Sequence, residues 1–231
     1  MVQDIKGLIE GKEEKKKAVF SMAKLDEAFV EKVVKKYSKA AGQDRERTKE
    51  ALTNLINGNI RFVKGTPKPR DFVAETRKTV EEGQKPFAAL VVCSDSRSPE
   101  LAVFDAGVGE IFVIRVAGVV PDKWGLASLE YAVGHLKVPL IGILGHDKCG
   151  AVTAAFGGSS EHGHLEGLLD SIKENIKGAK DLQEAIKANT LSVRGSIIAH
   201  SDTIAKAYSS GKVVIVPLHY RMADTLEVEI L

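Results

Sequence analysis

The sequence predicts an α/β fold: a mostly parallel central sheet flanked by helices, with a helical arm in front. Three observations carry this. Short apolar runs occur at Phe87–Val92, Ile111–Val116, Leu140–Leu144 and Val213–Pro217. Amphipathic segments lie between or after them, at Trp124–Leu136, Cys149–Phe156, Leu165–Gly178 and Val193–Ser209. The residues with metal-binding or acid–base chemistry stand directly behind two of the apolar runs. Buried strands alternating with helices imply right-handed crossovers and parallel pairing. About four parallel strands are expected. The alternating apolar and acidic stretch Thr225 to Leu231 reads as a C-terminal edge strand added to them.

The first part of the chain has a different pattern. From Leu25 onward, Phe29, Val30, Val33, Val34 and Tyr37 recur at helical spacing. A second helix is predicted from about Arg47 to Ile56, ending at Gly58 as a C-cap. These helices make residues 1–58 an arm that packs on the domain or clasps a second copy. Residues 59–231 form the α/β domain. The charge run Lys12–Lys17 reads as a solvated face.

Composition excludes several classes. The chain has 231 residues, 44% hydrophobic and 28% charged, ordinary for a globular protein that buries roughly 70% of its unfolded surface. A net charge of +2 with no basic stripe argues against nucleic acid as a partner. No apolar run reaches the length of a membrane span, and Met1 to Lys17 lacks the apolar region of a signal peptide. A cytoplasmic protein is expected, in which two cysteines stay reduced.

Those two cysteines fall in Cys93-Ser94-Asp95-Ser96-Arg97 and His146-Asp147-Lys148-Cys149-Gly150-Ala151. Loops leaving the carboxyl ends of parallel strands are where sites assemble. Cys93, His146 and Cys149 then offer two thiolates and an imidazole, three ligands for Zn2+ with a position to spare, the pattern of a catalytic rather than a structural site. A lone buried cysteine is ordinarily a small core residue, but that reading fits all three at strand exits poorly. Gly150 lets the backbone come close, and its N–H sits at a helix N-terminus, where anions are welcome. Asp95 and Arg97, two apart, can pair bidentately. Asp95 either closes the site as a fourth ligand or turns to Arg97 and accepts a hydrogen bond from water activated by the metal. His162-Gly163-His164 reads as a lid or a helix start. Gly107-Val108-Gly109 reads as a turn, because it lacks the setting of a dinucleotide site.

Further segments join these: Asn57-Gly58-Asn59-Ile60-Arg61-Phe62, Gln84-Lys85-Pro86-Phe87, Phe112 to Gly118 and Ser128 to Val133. Together they resemble the β-class carbonic anhydrases, from about Leu52 to the C-terminus. The resemblance implies reversible hydration of carbon dioxide to bicarbonate and a proton by a zinc-bound hydroxide. It also implies Cys93, His146 and Cys149 as zinc ligands, Asp95 and Arg97 as the catalytic dyad, and Gln84, Phe112 and Tyr131 around substrate. A homodimer with pockets at the subunit interface is implied as well, or a dimer-based larger assembly such as a homotetramer. Val119 stands where relatives commonly carry asparagine. Leu90 stands where some carry a tryptophan that serves bicarbonate regulation, so that regulation is not expected. The ligand set leaves open a carbonyl sulfide or carbon disulfide hydrolase, and a non-catalytic zinc or bicarbonate sensor. A dithiol redox protein is disfavoured by the absence of a Cys-x-x-Cys pair.

Overall fold

Every residue of β2 (Ala88–Val92), β4 (Leu140–His146) and β5 (Val214–Tyr220) is buried, as continuous apolar runs require of strands covered on both faces. The structure is a computed structural model that describes Phe20, Ser21 and residues 27–231. The charge run Lys12–Lys17 and the start of the arm lie outside the described residues.

The sheet has the order β1-β6-β5-β4-β2-β3, with β1 at Phe20–Ser21, β3 at Ile111–Arg115 and β6 at Val228–Ile230. β3, β2, β4 and β5 run parallel, as expected, and β6 is antiparallel to β5. The C-terminal strand is not the edge that the sequence suggested, because Phe20 and Ser21 pair with Ile230 and Glu229 on its outer side. An alternating strand declares which face is apolar but not whether its backbone is covered.

Two helical layers cover the sheet. On one face, α1 (Glu27–Tyr37) and α2 (Gly42–Lys64) pack Val33, Leu52, Leu55 and Ile56 against Leu90, Leu144 and Val216. On the other face lie α5 (Lys123–Gly134), α6 (Gly150–Phe156), α7 (His164–Asn175), α8 (Leu182–His200) and α9 (Asp202–Ser209). Leu129, Ile172, Ile186 and Val193 there meet Val91, Ile141 and Ile143. Two helices went unread in the sequence: α3 (Phe72–Glu82), which buries none of its residues, and the single turn α4 (Glu100–Val103).

Two helix boundaries differ from expectation. Helix α2 runs through Gly58 and ends at Gly65, whose φ of 65° makes it the true left-handed cap. Gly58 is a glycine for a different reason: a Cβ there would lie 1.7 Å from the Phe104 carbonyl oxygen. The stretch predicted as one helix over Val193–Ser209 is two, and the first starts earlier, with Asp181 as its cap. Ser201 breaks the run and caps α9 by accepting from the Ile204 amide at 3.2 Å.

Beside Phe104, Asp105 occupies the left-handed region at φ 42°, which aspartate tolerates. Its buried carboxylate takes hydrogen bonds from Arg61 and from the Lys68 amide at 3.2 Å, and Arg70 Nη2 donates to its carbonyl at 2.7 Å. Burial pushes the Asp105 carboxyl up, but the Arg61 guanidinium and the Lys68 amide outweigh it and hold it below the usual range. A lowered native value means that the stabilisation is complete above the ordinary aspartate range and is lost as pH falls through the native value. Asp105→Asn is therefore expected to cost about 1–3 kcal/mol at neutral pH. Urea unfolding of the two proteins should converge in acid; a gap that persists at low pH would count against the charge as the cause.

Candidate metal centre

β2 and β4 are neighbours in register, with Val92 beside Leu144, so the chain leaves both strands at one end of the sheet. Cys93 is the first residue after β2, His146 the last of β4, and Cys149 the residue before α6. Lys148 turns the chain back with a φ of 53°. The three ligating atoms lie within 4.8 Å of one another, and all three side chains are buried.

The protonation chemistry of this cluster fits a bound cation. His146 Nδ1 lies 2.8 Å from the Asp147 carbonyl oxygen, which assigns the proton to Nδ1 and the lone pair to Nε2. Nε2 is buried without a hydrogen-bond partner, an expensive state for an acceptor in the interior. A hydrogen bond from the Cys149 thiol, helped by His146 and the Asp95 and Gly118 amides, lowers the Cys93 thiol to about 4. The same bond and burial push Cys149 upward. Burial works against a charged His146, and the Cys93 sulfur beside it more than compensates, raising its pKa. A divalent ion held among the three satisfies both sulfurs and the orphaned nitrogen. Two soft sulfurs and an imidazole suit zinc.

Arg97 grips Asp95 with both ends of its fork, Nε to Oδ1 at 2.9 Å and Nη2 to Oδ2 at 2.7 Å; its own amide also donates to Oδ1 at 2.9 Å. This guanidinium holds the Asp95 carboxyl far below the ordinary carboxylate range. Gly150 opens α6 with free space where a side chain would stand. His164 begins α7, so part of the His162-Gly163-His164 segment is the helix start that was expected.

Other expected residues are not brought to the cluster by one chain. Gln84 precedes β2 and Cys93 follows it, which separates them by roughly 16 Å at strand rise. Phe112 pairs with Ala89, toward the same far end of the sheet. Its ring lies 6.1 Å from that of Tyr131, which is 46% exposed. Val119 sits in the left-handed region at φ 57°, a strained position for a β-branched residue, and its side chain faces the apolar core. The polar contact in this loop comes from Asn189 instead, which donates to the Gly118 carbonyl at 2.7 Å.

One supporting residue had no assigned role in the sequence. Arg115, at the end of β3, donates to the Cys93 carbonyl at 3.2 and 3.0 Å, to the Asp95 carbonyl at 2.8 Å and to Glu100 at 3.1 Å. It locks the loop that carries the first thiol and the carboxylate. An arginine ending an apolar strand beside that loop was the available signal.

Comparison with known proteins agrees with this site. The carbonic anhydrase family profile matches residues 88–226. Carbonic anhydrase 2 of Mycobacterium tuberculosis is 35% identical over 179 residues, 74% of this chain and 86% of the relative. A carbonic anhydrase of Mycolicibacterium smegmatis is 36% identical, over 74% of this chain and 87% of its own. A solved β-carbonic anhydrase of Aspergillus fumigatus superposes with a TM-score of 0.60 at 26% identity, covering 69% of this chain and 81% of that one. One of two tetrameric β-carbonic anhydrases of Sordaria macrospora gives 0.58 at 25%, covering 68% and 86%. The matched span holds Cys93, His146 and Cys149 together with the strands that deliver them, and the chain belongs to the carbonic anhydrase family, in its β class.

Proposed function

We propose that this protein catalyses the reversible hydration of carbon dioxide to bicarbonate and a proton, with Cys93, His146 and Cys149 holding zinc. The observation that carries the reading is the buried trio within 4.8 Å, with His146 Nε2 facing the sulfurs and lacking an ordinary hydrogen-bond partner. Zinc in such a site supplies a Lewis acid that brings the pKa of water toward neutrality. The relatives' names favour carbon dioxide over carbonyl sulfide or carbon disulfide as substrate. Metal analysis of the purified protein with stopped-flow hydration tests the proposal; zinc-free protein, or zinc-loaded protein with no hydration, would overturn it.

Asp95 orients the water that adds to carbon. Arg97 occupies one side of its carboxylate, fixing the plane and leaving lone pairs free to accept a hydrogen bond. With Arg97 engaged, Asp95 is turned away from service as a fourth ligand. Asp95→Asn replaces an acceptor by an amide of ambiguous orientation. It is expected to keep zinc and lose about 10²-fold or more in hydration rate. An unimpaired rate in zinc-loaded Asp95→Asn would remove Asp95 from the reaction.

Gln84, Phe112, Tyr131 and Gly150 are assigned to substrate. The first two stand at the end of the sheet away from the zinc ligands of their own chain. A second copy is therefore the source of Gln84, Phe112 and Tyr131 for each pocket, which makes a homodimer the smallest complete unit. The exposed ring of Tyr131 and the unburied helix α3 support this, as does the tetrameric state of the Sordaria relatives. Of the arm, residues 1–58, the part in α1 and α2 packs on the sheet of its own chain, which supports the packing role over the clasp. Among the described residues no helix is long and apolar enough to cross a membrane. Two free thiols at the site accord with the reducing cytoplasm.

A further inference from the structure

The residue after the histidine ligand is anchored more heavily than a turn needs. Asp147 is buried, and its amide donates to the Tyr220 carbonyl at 3.1 Å, carrying the β4–β5 ladder one residue past the strand. Its carboxylate collects three donors from three places. His219 Nε2 lies at 2.8 Å from β5, Gln183 Nε2 at 3.3 Å from α8, and the Ala223 amide at 3.2 Å from the loop before β6. His219 is itself fully buried, and its Nδ1 has no partner. Its cross-strand neighbour on β4 is Gly145, over which Thr190 of α8 packs where a side chain would stand.

Burying a carboxylate and an imidazole is costly unless their position matters. What they position is visible. The Asp147 carbonyl receives the His146 Nδ1 proton at 2.8 Å, which leaves Nε2 for the metal. Groups behind a ligating histidine tune both ring orientation and ligand basicity. We propose that Asp147 and His219 form a positioning pair for His146, fixing the carbonyl that aims the ring and so setting how tightly zinc is held. The inference rests on Cys93, His146 and Cys149 being the zinc site. Neither residue touches the reacting atoms.

The test reads metal binding, not turnover. Zinc affinity is measured by competition with a chromophoric chelator, and the visible spectrum is recorded after cobalt(II) replaces zinc. Asp147→Ala is expected to weaken zinc by about 10–100-fold and to shift the cobalt bands. Asp147→Asn, which keeps one acceptor oxygen, should recover part of both, and His219→Ala should shift both in the same direction as Asp147→Ala. If Asp147→Ala does not fold, Gln183→Ala and His219→Gln carry the test, with smaller shifts of the same sign. Folded variants of lowered thermal stability that match the parent in zinc affinity and cobalt spectrum would overturn the pair. A parent that takes up no zinc would be a distinct result, sinking the metal reading and the pair together.

Discussion

Alanine at Cys149 is expected to leave a folded protein that purifies without stoichiometric zinc and hydrates carbon dioxide at least about 10³-fold more slowly. The rate follows from the several kcal/mol of charge stabilisation that the metal contributes, at tenfold per 1.36 kcal/mol. The loss of zinc follows from the ligand set. Without Cys149 only Cys93 and His146 remain, one buried sulfur and one imidazole where a tetrahedral site needs a third protein ligand. Alanine removes only a sulfur from a small buried side chain, at a cost of roughly 1–2 kcal/mol, and the Cys149 carbonyl still receives Thr153 Oγ1 at 2.8 Å. Metal content, stopped-flow rate and far-ultraviolet circular dichroism on one preparation separate these effects. Full zinc occupancy at the parent's rate would end the assignment of Cys149 as a ligand.

How far the site is legible in the sequence depends on where each residue's partners lie. Cys93 and His146 were legible because the strands before them are apolar without interruption, and a buried parallel pair has only one way to place its exits. Asp95 and Arg97 were legible because they meet across two residues. Asp147 was not: its donors at positions 183, 219 and 223 come from distant segments, and no local pattern announces such a convergence. Arg115 also bonds at a distance, 22 positions from Cys93, but its place at the end of an apolar strand is a local signal that Asp147 lacks. In the fold, the parallel core was clear from its strands, whereas α3 was invisible because it has no buried stripe to generate a period. The edge position is hidden from the local sequence because Phe20 and Ser21, far away in the chain, decide it.

A single methyl group at Gly58 is expected to destabilise the protein by about 3–5 kcal/mol, against the usual sign for glycine to alanine in a helix. In an exposed helix interior that change gains up to about 1 kcal/mol. At Gly58 the added Cβ would stand 1.7 Å from the Phe104 carbonyl oxygen and 2.5 Å from its carbon. A carbon and a carbonyl oxygen approach only to about 3.3 Å. Both obstructing atoms are backbone, so no rotamer relieves the clash, and α2 must move away from the Phe104 turn by more than an ångström. The adjacent residue makes that displacement expensive. Buried Asn59 donates to the Val103 carbonyl at 3.2 Å and the Leu226 carbonyl at 3.3 Å, and accepts from the Val228 amide at 2.9 Å. Shifting α2 loosens all three bonds, each contributing about 1 kcal/mol, on top of the overpacking strain. Gly195, exposed within α8 with nothing inside 4 Å of its added Cβ, provides the opposite control. Gly195→Ala should raise the urea midpoint while Gly58→Ala lowers it. Two shifts of the same sign would mean that α2 and the Phe104 turn do not pack as closely as their backbones indicate.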